Sequence, residues 1–103
     1  MASTSLIEIQ DDLAASRSGD REAFGRLVAR YQGMVHAVAY SHTGDAALSE
    51  DIAQETFLAA WQRLDRLRSP ERFGPWLAGI ARNRALDAWR KRQRDPLHGA
   101  EPV

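Results

Sequence analysis

Cysteine is absent from this 103-residue chain, which excludes disulfides and thiolate metal sites and fits a reducing compartment. No stretch approaches the roughly 20 apolar residues that cross a bilayer, so no membrane insertion is expected. The opening MASTSLIEIQDD has no basic region followed by an apolar run. No signal peptide is read there, and a cytoplasmic chain is expected. Strand-period runs with hairpin turn chemistry are missing too. The seven glycines stand singly, as stops rather than as a phosphate-cradling loop. Catalytic constellations are equally scarce. His36, His42 and His98 have no metal-ligand spacing with one another. Ser41, Ser49 and Ser69 lack a nucleophile elbow or a neighbouring base. Glu50, Asp51 and Glu55 lack the histidines of a carboxylate di-metal bundle. The expectation is a protein that is not an enzyme and needs no cofactor or metal; a metal-dependent hydrolase built on those three acids is the weaker rival.

Net charge is also missing, but only in the sum. Residues 1–60 carry nine acids against four arginines, giving −5, and residues 61–103 carry ten bases against five acids, giving +5. The basic end, with Trp76 and Trp89 among its arginines, suits a polyanion that has stackable bases. An acidic end suits a protein partner.

What is present is helical periodicity. At this length one domain is expected, over about 1–95, as an all-α compact bundle of about four helices. Ile7 to Arg17 forms a short helix that stops at Ser18-Gly19. Phe24, Leu27, Val28, Tyr31, Val35, Val38 and Ala39 recur at three- and four-residue steps over about 20–43. Asp20 is the cap and Thr43-Gly44 the stop of that helix, and Gly33, off the stripe, predicts a break. Asp45 caps a third helix over about 45–65, with Leu48, Ile52, Phe57, Ala60, Trp61 and Leu64 on its inner side. Ser69-Pro70 and then Gly74-Pro75 predict a short turn at 70–74, with a long helix following from Pro75 to Arg94. Its inner side is read as Trp76, Leu77, Ile80, Ala81 and Leu86 or Trp89. Residues 96–103, with two prolines and a glycine, read as a linker or a disordered tail.

Two polar surfaces stand out. Asp51, Gln54, Glu55 and Leu58 fall at i, i+3, i+4 and i+7, so they share one face of the third helix. Like charges four apart, an amide between them and an outward leucine suggest a contact surface for a basic partner; a plain solvated face is the alternative. The second surface gathers Arg63, Arg66, Arg68 and Arg72 near the loop, then Arg82, Arg84, Arg90, Lys91, Arg92 and Arg94 on the last helix. Asn83 lies among them, and its amide matches the bidentate reading of an adenine edge. Trp76, Trp89 and Phe73 could stack a base, or they are core and the terminal cations complement the helix dipole.

The motifs themselves narrow these options. Gly19-Asp20-Arg21-Glu22-Ala23-Phe24, Leu27-Val28-x-x-Tyr31 and Thr43-Gly44-Asp45 are followed by Glu50-Asp51-Ile52-Ala53-Gln54-Glu55-Thr56-Phe57-Leu58-Ala59-Ala60-Trp61. Then comes Phe73-x-x-Trp76-Leu77-x-x-Ile80-Ala81-Arg82-Asn83-x-x-x-Asp87-x-x-Arg90. In order and spacing, over roughly residues 8–94, this resembles region 2 of bacterial sigma factors of the extracytoplasmic-function (ECF) group.

The resemblance implies a transcription initiation domain that binds core RNA polymerase and recognises and helps melt the promoter −10 element. Asp51, Gln54, Glu55 and Leu58 would meet the clamp helices of the largest polymerase subunit, with Phe57 anchoring them from the core. Leu67, Arg68, Ser69 and Asn83 match a pocket for a flipped base of the non-template strand. Trp76, Arg82, Arg84, Arg90 and Lys91 complete the DNA-binding set, and an anti-sigma factor is implied as a second protein partner. Housekeeping relatives carry paired tryptophans where this chain has Trp76-Leu77, which implies weaker and more promoter-selective melting. Ala59 and Gly79 are read as outward positions where relatives often carry larger or basic residues. The helix-turn-helix that reads the −35 element in such factors (region 4) has no counterpart in these 103 residues; an excised domain and a shortened factor both fit. The rival from another class is a helical interaction module with no DNA role.

Overall fold

The computed structural model describes residues 4–94, and the tail expected over 96–103 lies outside them. Four helices run in order: α1 (Thr4–Arg17), α2 (Arg21–Thr43), α3 (Ala46–Gln62) and α4 (Phe73–Arg94). Two 3-10 turns, Leu64–Arg66 and Pro70–Arg72, join α3 to α4. Among the described residues there is no strand.

Short capping sequences set the helix ends. At Gly19 the backbone turns left-handed, φ 94°. There the Gly19 N–H meets the Ser16 carbonyl and the Asp20 N–H the Ala15 carbonyl, both at 3.0 Å, so two orphan carbonyls of α1 are satisfied. Asp20 then starts α2, its carboxylate accepting the Ala23 N–H at 3.1 Å. Gly44, at φ 63°, closes α2 by donating to the Tyr40 carbonyl, and Asp45 opens α3 by accepting from Leu48 N–H at 3.0 Å. With three residues between α1 and α2 and two between α2 and α3, these helices are tightly linked.

α2 is the central element and packs against each of the other three helices. Leu13, Leu27, Val35, Phe73, Leu77 and Ala81 form the main core together with Phe57, Leu64 and Leu67. Phe73, fully buried, holds Tyr31 edge-on at 5.1 Å and Trp76 tilted at 6.0 Å between ring centres. A smaller cluster of Ala39, Ile52 and Ala85 continues the core toward the far end.

Several boundaries differ from the sequence-based expectation. α1 begins at Thr4, three residues early. α2 runs unbroken through Gly33, which is exposed. A helical glycine costs only about 1 kcal/mol against alanine, and burial of Leu27, Val35 and Ala39 on either side of it offsets that. α3 ends at Gln62, and Leu64–Arg66 is a 3-10 turn instead of a continuation. α4 starts at Phe73 instead of Pro75. Gly74 has no Cβ to clash with the Pro75 ring, and a first-turn proline withholds an N–H that has no intrahelical partner. The inner stripe of α4 is Phe73, Leu77, Ala81 and Ala85, and Trp89 is 45% exposed. Steps of four keep one face inward, and small alanines let α4 approach Ala39 and Ile52. Ala59, expected outward, is buried because α3 packs against α2, α4 and the first 3-10 turn at once.

Candidate interaction surfaces

On α3 the inward positions are taken by Ile52, Ala53, Thr56, Phe57 and Ala60, which leaves Asp51, Gln54, Glu55 and Leu58 outward and exposed. Leu58 is 58% exposed, among the most exposed large apolar side chains described. It borders a shallow apolar groove of about 290 Å³ lined by Arg21, Phe24, Phe57, Leu58 and Trp61. Phe24 and Trp61 meet edge to face at 5.0 Å in its wall. The four residues grouped by spacing do share a surface, and the groove adds Phe24 and Trp61, which their positions on the apolar stripes had marked only as core.

Between α3 and α4 the chain folds around a concavity of about 340 Å³ lined by Arg66, Leu67, Arg68, Ser69, Arg72, Pro75 and Trp76. The structure therefore brings Leu67, Arg68, Ser69 and Trp76 together. Leu67 is only 5% exposed and belongs to the core, so it serves this cavity as an apolar wall. The Glu71 carboxyl is held below the usual carboxylate range, first by the Ser69 hydroxyl and then by its own backbone N–H, with Arg72 adding attraction. The loop is also tied from behind. Arg17, at the end of α1, donates from Nε to the Leu64 carbonyl at 3.3 Å and from Nη2 to the Leu67 carbonyl. Nothing in the sequence signals that contact, which spans 50 residues.

Asn83 does not line the concavity. It lies exposed on α4, seven residues after Trp76 and seven before Arg90, so the three repeat along one side at about 10 Å intervals. Arg82, Arg90 and Lys91 are exposed as well. Arg84 leans toward α3, 4.0 Å from Glu55, and Arg90 is 3.7 Å from Asp87. Arg92 is drawn back to Asp45 at 2.8 Å. The Asp45 carboxyl is lowered chiefly by the Leu48 N–H, then by Arg92.

In chemical terms, α3 presents acid, amide and leucine, suited to a protein surface. The loop presents an apolar wall, an indole and three guanidinium groups, suited to a planar ring carrying phosphate. Among the described residues no group of three or more His, Asp or Glu could hold a metal ion, and no helix is long and apolar enough to cross a membrane.

The sequence model described as Sigma-70 region 2 matches residues 27–95. The chain belongs to the Sigma-70 region 2 family. Within it, this region 2 domain is 46% identical over 91 residues to the Xanthomonas campestris pv. campestris protein named "Probable RNA polymerase sigma factor RfaY", covering 88% of this chain and 23% of that protein. It is 34% identical over 85 residues to the ECF RNA polymerase sigma factor SigW of Bacillus subtilis, covering 82% of this chain and 46% of SigW. The domain thus spans about a quarter to a half of the relatives it matches. Its fold matches an NMR structure of an engineered region 2 of sigmaE in complex with GTAAAA, at a TM-score of 0.71 and 29% identity, covering 91% of this chain and 96% of the other.

Proposed function

We propose that this region 2 domain is a transcription initiation module that binds core RNA polymerase through α3 and recognises and helps melt the −10 element through the loop and α4. Asp51, Gln54, Glu55 and Leu58 meet the basic clamp helices of the largest subunit, and the groove beside Leu58 receives an apolar side chain from the same partner. A flipped base of the non-template strand enters the concavity, against Leu67 and Trp76 and within reach of Arg68 and Ser69. Arg82, Arg84, Arg90 and Lys91 neutralise phosphates, and Asn83 reads a neighbouring base about two helical turns from Trp76. Opening the promoter then rests on a favourable site for an unstacked base, which offsets the few kcal/mol that unstacking costs. The domain supplies no catalytic group, works in the cytoplasm with the polymerase, and is controlled by an anti-sigma factor that covers the same faces.

The observation that carries this proposal is the arginine-rimmed concavity of residues 66–76, found on a fold that matches a domain in complex with GTAAAA. Fluorescence anisotropy on a panel of labelled single-stranded hexamers, GTAAAA included, tests it. Binding is expected to depend on sequence and to fall steeply with salt. Sequence-independent binding, even with core polymerase present, would refute it in favour of a module that contacts proteins only.

A further inference from the structure

We infer that Arg17 is a positioning residue for base recognition: from α1 it fixes the loop that forms the concavity, so base discrimination depends on a side chain that touches no DNA. The inference rests on the proposed role of that loop.

The geometry is specific. Leu67 ends the first 3-10 turn and leaves it extended, at φ −73° and ψ 115°, and Ser69 continues extended, at φ −134° and ψ 115°. Across this stretch the backbone bonds to itself at the Leu67 N–H, which meets the Leu64 carbonyl at 3.2 Å, and at the Ser69 carbonyl, which accepts from the Arg72 N–H at 2.9 Å. The Leu64 carbonyl uses its second lone pair on Arg17 Nε, and the Leu67 carbonyl accepts from Nη2. One planar guanidinium therefore bridges the two ends of the turn, a fork that an ammonium cannot reproduce. Leu64 and Leu67 are both nearly fully buried, and the two bonds are partly buried although Arg17 itself is exposed, so losing the guanidinium leaves two carbonyls of a packed turn without that partner. Arg17 is itself held in place. Leu13 and Ser16 anchor the same turn of α1 in the interior, and the Gly19 stop fixes where α1 ends. A cation that merely complemented the α1 dipole would have no reason to reach the loop.

The test uses the 103-residue chain with Arg17→Ala and Arg17→Lys. Hydrogen exchange in the absence of DNA is expected to speed up at the Arg66 and Leu67 amides in both variants, with α2 and α3 unchanged. Hexamer binding is expected to lose discrimination between preferred and substituted bases about tenfold, while affinity for a scrambled strand and for core polymerase stays within twofold. Unchanged loop exchange in Arg17→Ala overturns the inference and leaves the loop's role intact. Full discrimination restored by Arg17→Lys also overturns it, because charge rather than the fork would then suffice. If wild type shows a protected loop but no base discrimination, the proposed reading of the loop falls, and the inference falls with it.

Discussion

Acids on α1 and acids on α3 carry the same charge and are used differently. Glu8 and Asp12 each meet an arginine of α2, Arg30 at 2.8 Å and Arg26 at 3.0 Å, and Asp12 is one reason the Arg26 guanidinium holds its proton more tightly than usual. On α3, among the described residues, Asp51 has no ion-pair partner and Glu55 reaches Arg84 only at 4.0 Å. Glu8 and Asp12 therefore close the α1–α2 seam, while Asp51 and Glu55 stay exposed on α3. A sequence split into −5 and +5 does not by itself say which charges are spent inside the fold. Pairing distances do.

The largest effect should separate these two groups in polymerase binding. Asp51→Arg combined with Leu58→Ala is expected to weaken association with core polymerase by about 2–4 kcal/mol, the scale of removing an interface anchor and opposing like charges. Both side chains are exposed, so the thermal midpoint should hold. Glu8→Ala with Asp12→Ala should leave association within twofold. Surface plasmon resonance against immobilised polymerase decides the matter, and equal losses from both pairs would mean that bulk negative charge, not the α3 face, draws the partner.

The basic side has its own version of the contrast. Arg92 is spent on Asp45, whereas Asn83 and Arg82 face outward on α4. Asn83→Ala is expected to relax preference at one −10 position by about 1–3 kcal/mol. Arg82→Ala should instead weaken every sequence alike and lower the salt slope by about one. Anisotropy with single-base variants at several salt concentrations measures both, and a uniform loss from Asn83→Ala would remove it from base reading.

How much of this was legible in the sequence depends on how local the cause is. Asp20, Gly44 and Asp45 act within four residues of themselves, so the starts and stops they mark are where the pattern puts them. Gly33 misled because a local propensity was outweighed by burial on either side of it. Leu67 and Ala59 took their surroundings from helices far along the chain, which periodicity within one helix does not report. The grouping of Asp51, Gln54, Glu55 and Leu58 needed only the helical repeat. The concavity needed the turn of the chain between α3 and α4, and the bond from Arg17 to that turn has no sequence signature at all.

Asp45 sits between the two kinds of acid, being both a cap and an ion-pair partner. Its pKa is lowered in the fold, so its contribution is present above the unfolded value of about 4 and is lost as pH falls through the lower folded value. Asp45→Ala is expected to lower the thermal midpoint by a few degrees near neutral pH. That gap from wild type should close in acid. A gap that stays constant down to strongly acidic pH would mean the carboxylate charge contributes nothing.

The smallest effect belongs to the seam itself. A double-mutant cycle on Glu8→Gln and Arg30→Gln should give a coupling of about 0.2–1 kcal/mol, because both side chains are partly exposed and water competes for them. The coupling should shrink as salt rises over a Debye length that is ~10 Å at 0.1 M. The Asp51 contribution to polymerase binding should fall with salt too, but through the rate of association, so the two can be told apart by kinetics. If the Glu8–Arg30 coupling is nil and Glu8→Gln instead slows polymerase association, the N-terminal acids are steering charges, and the contrast between α1 and α3 becomes one of degree.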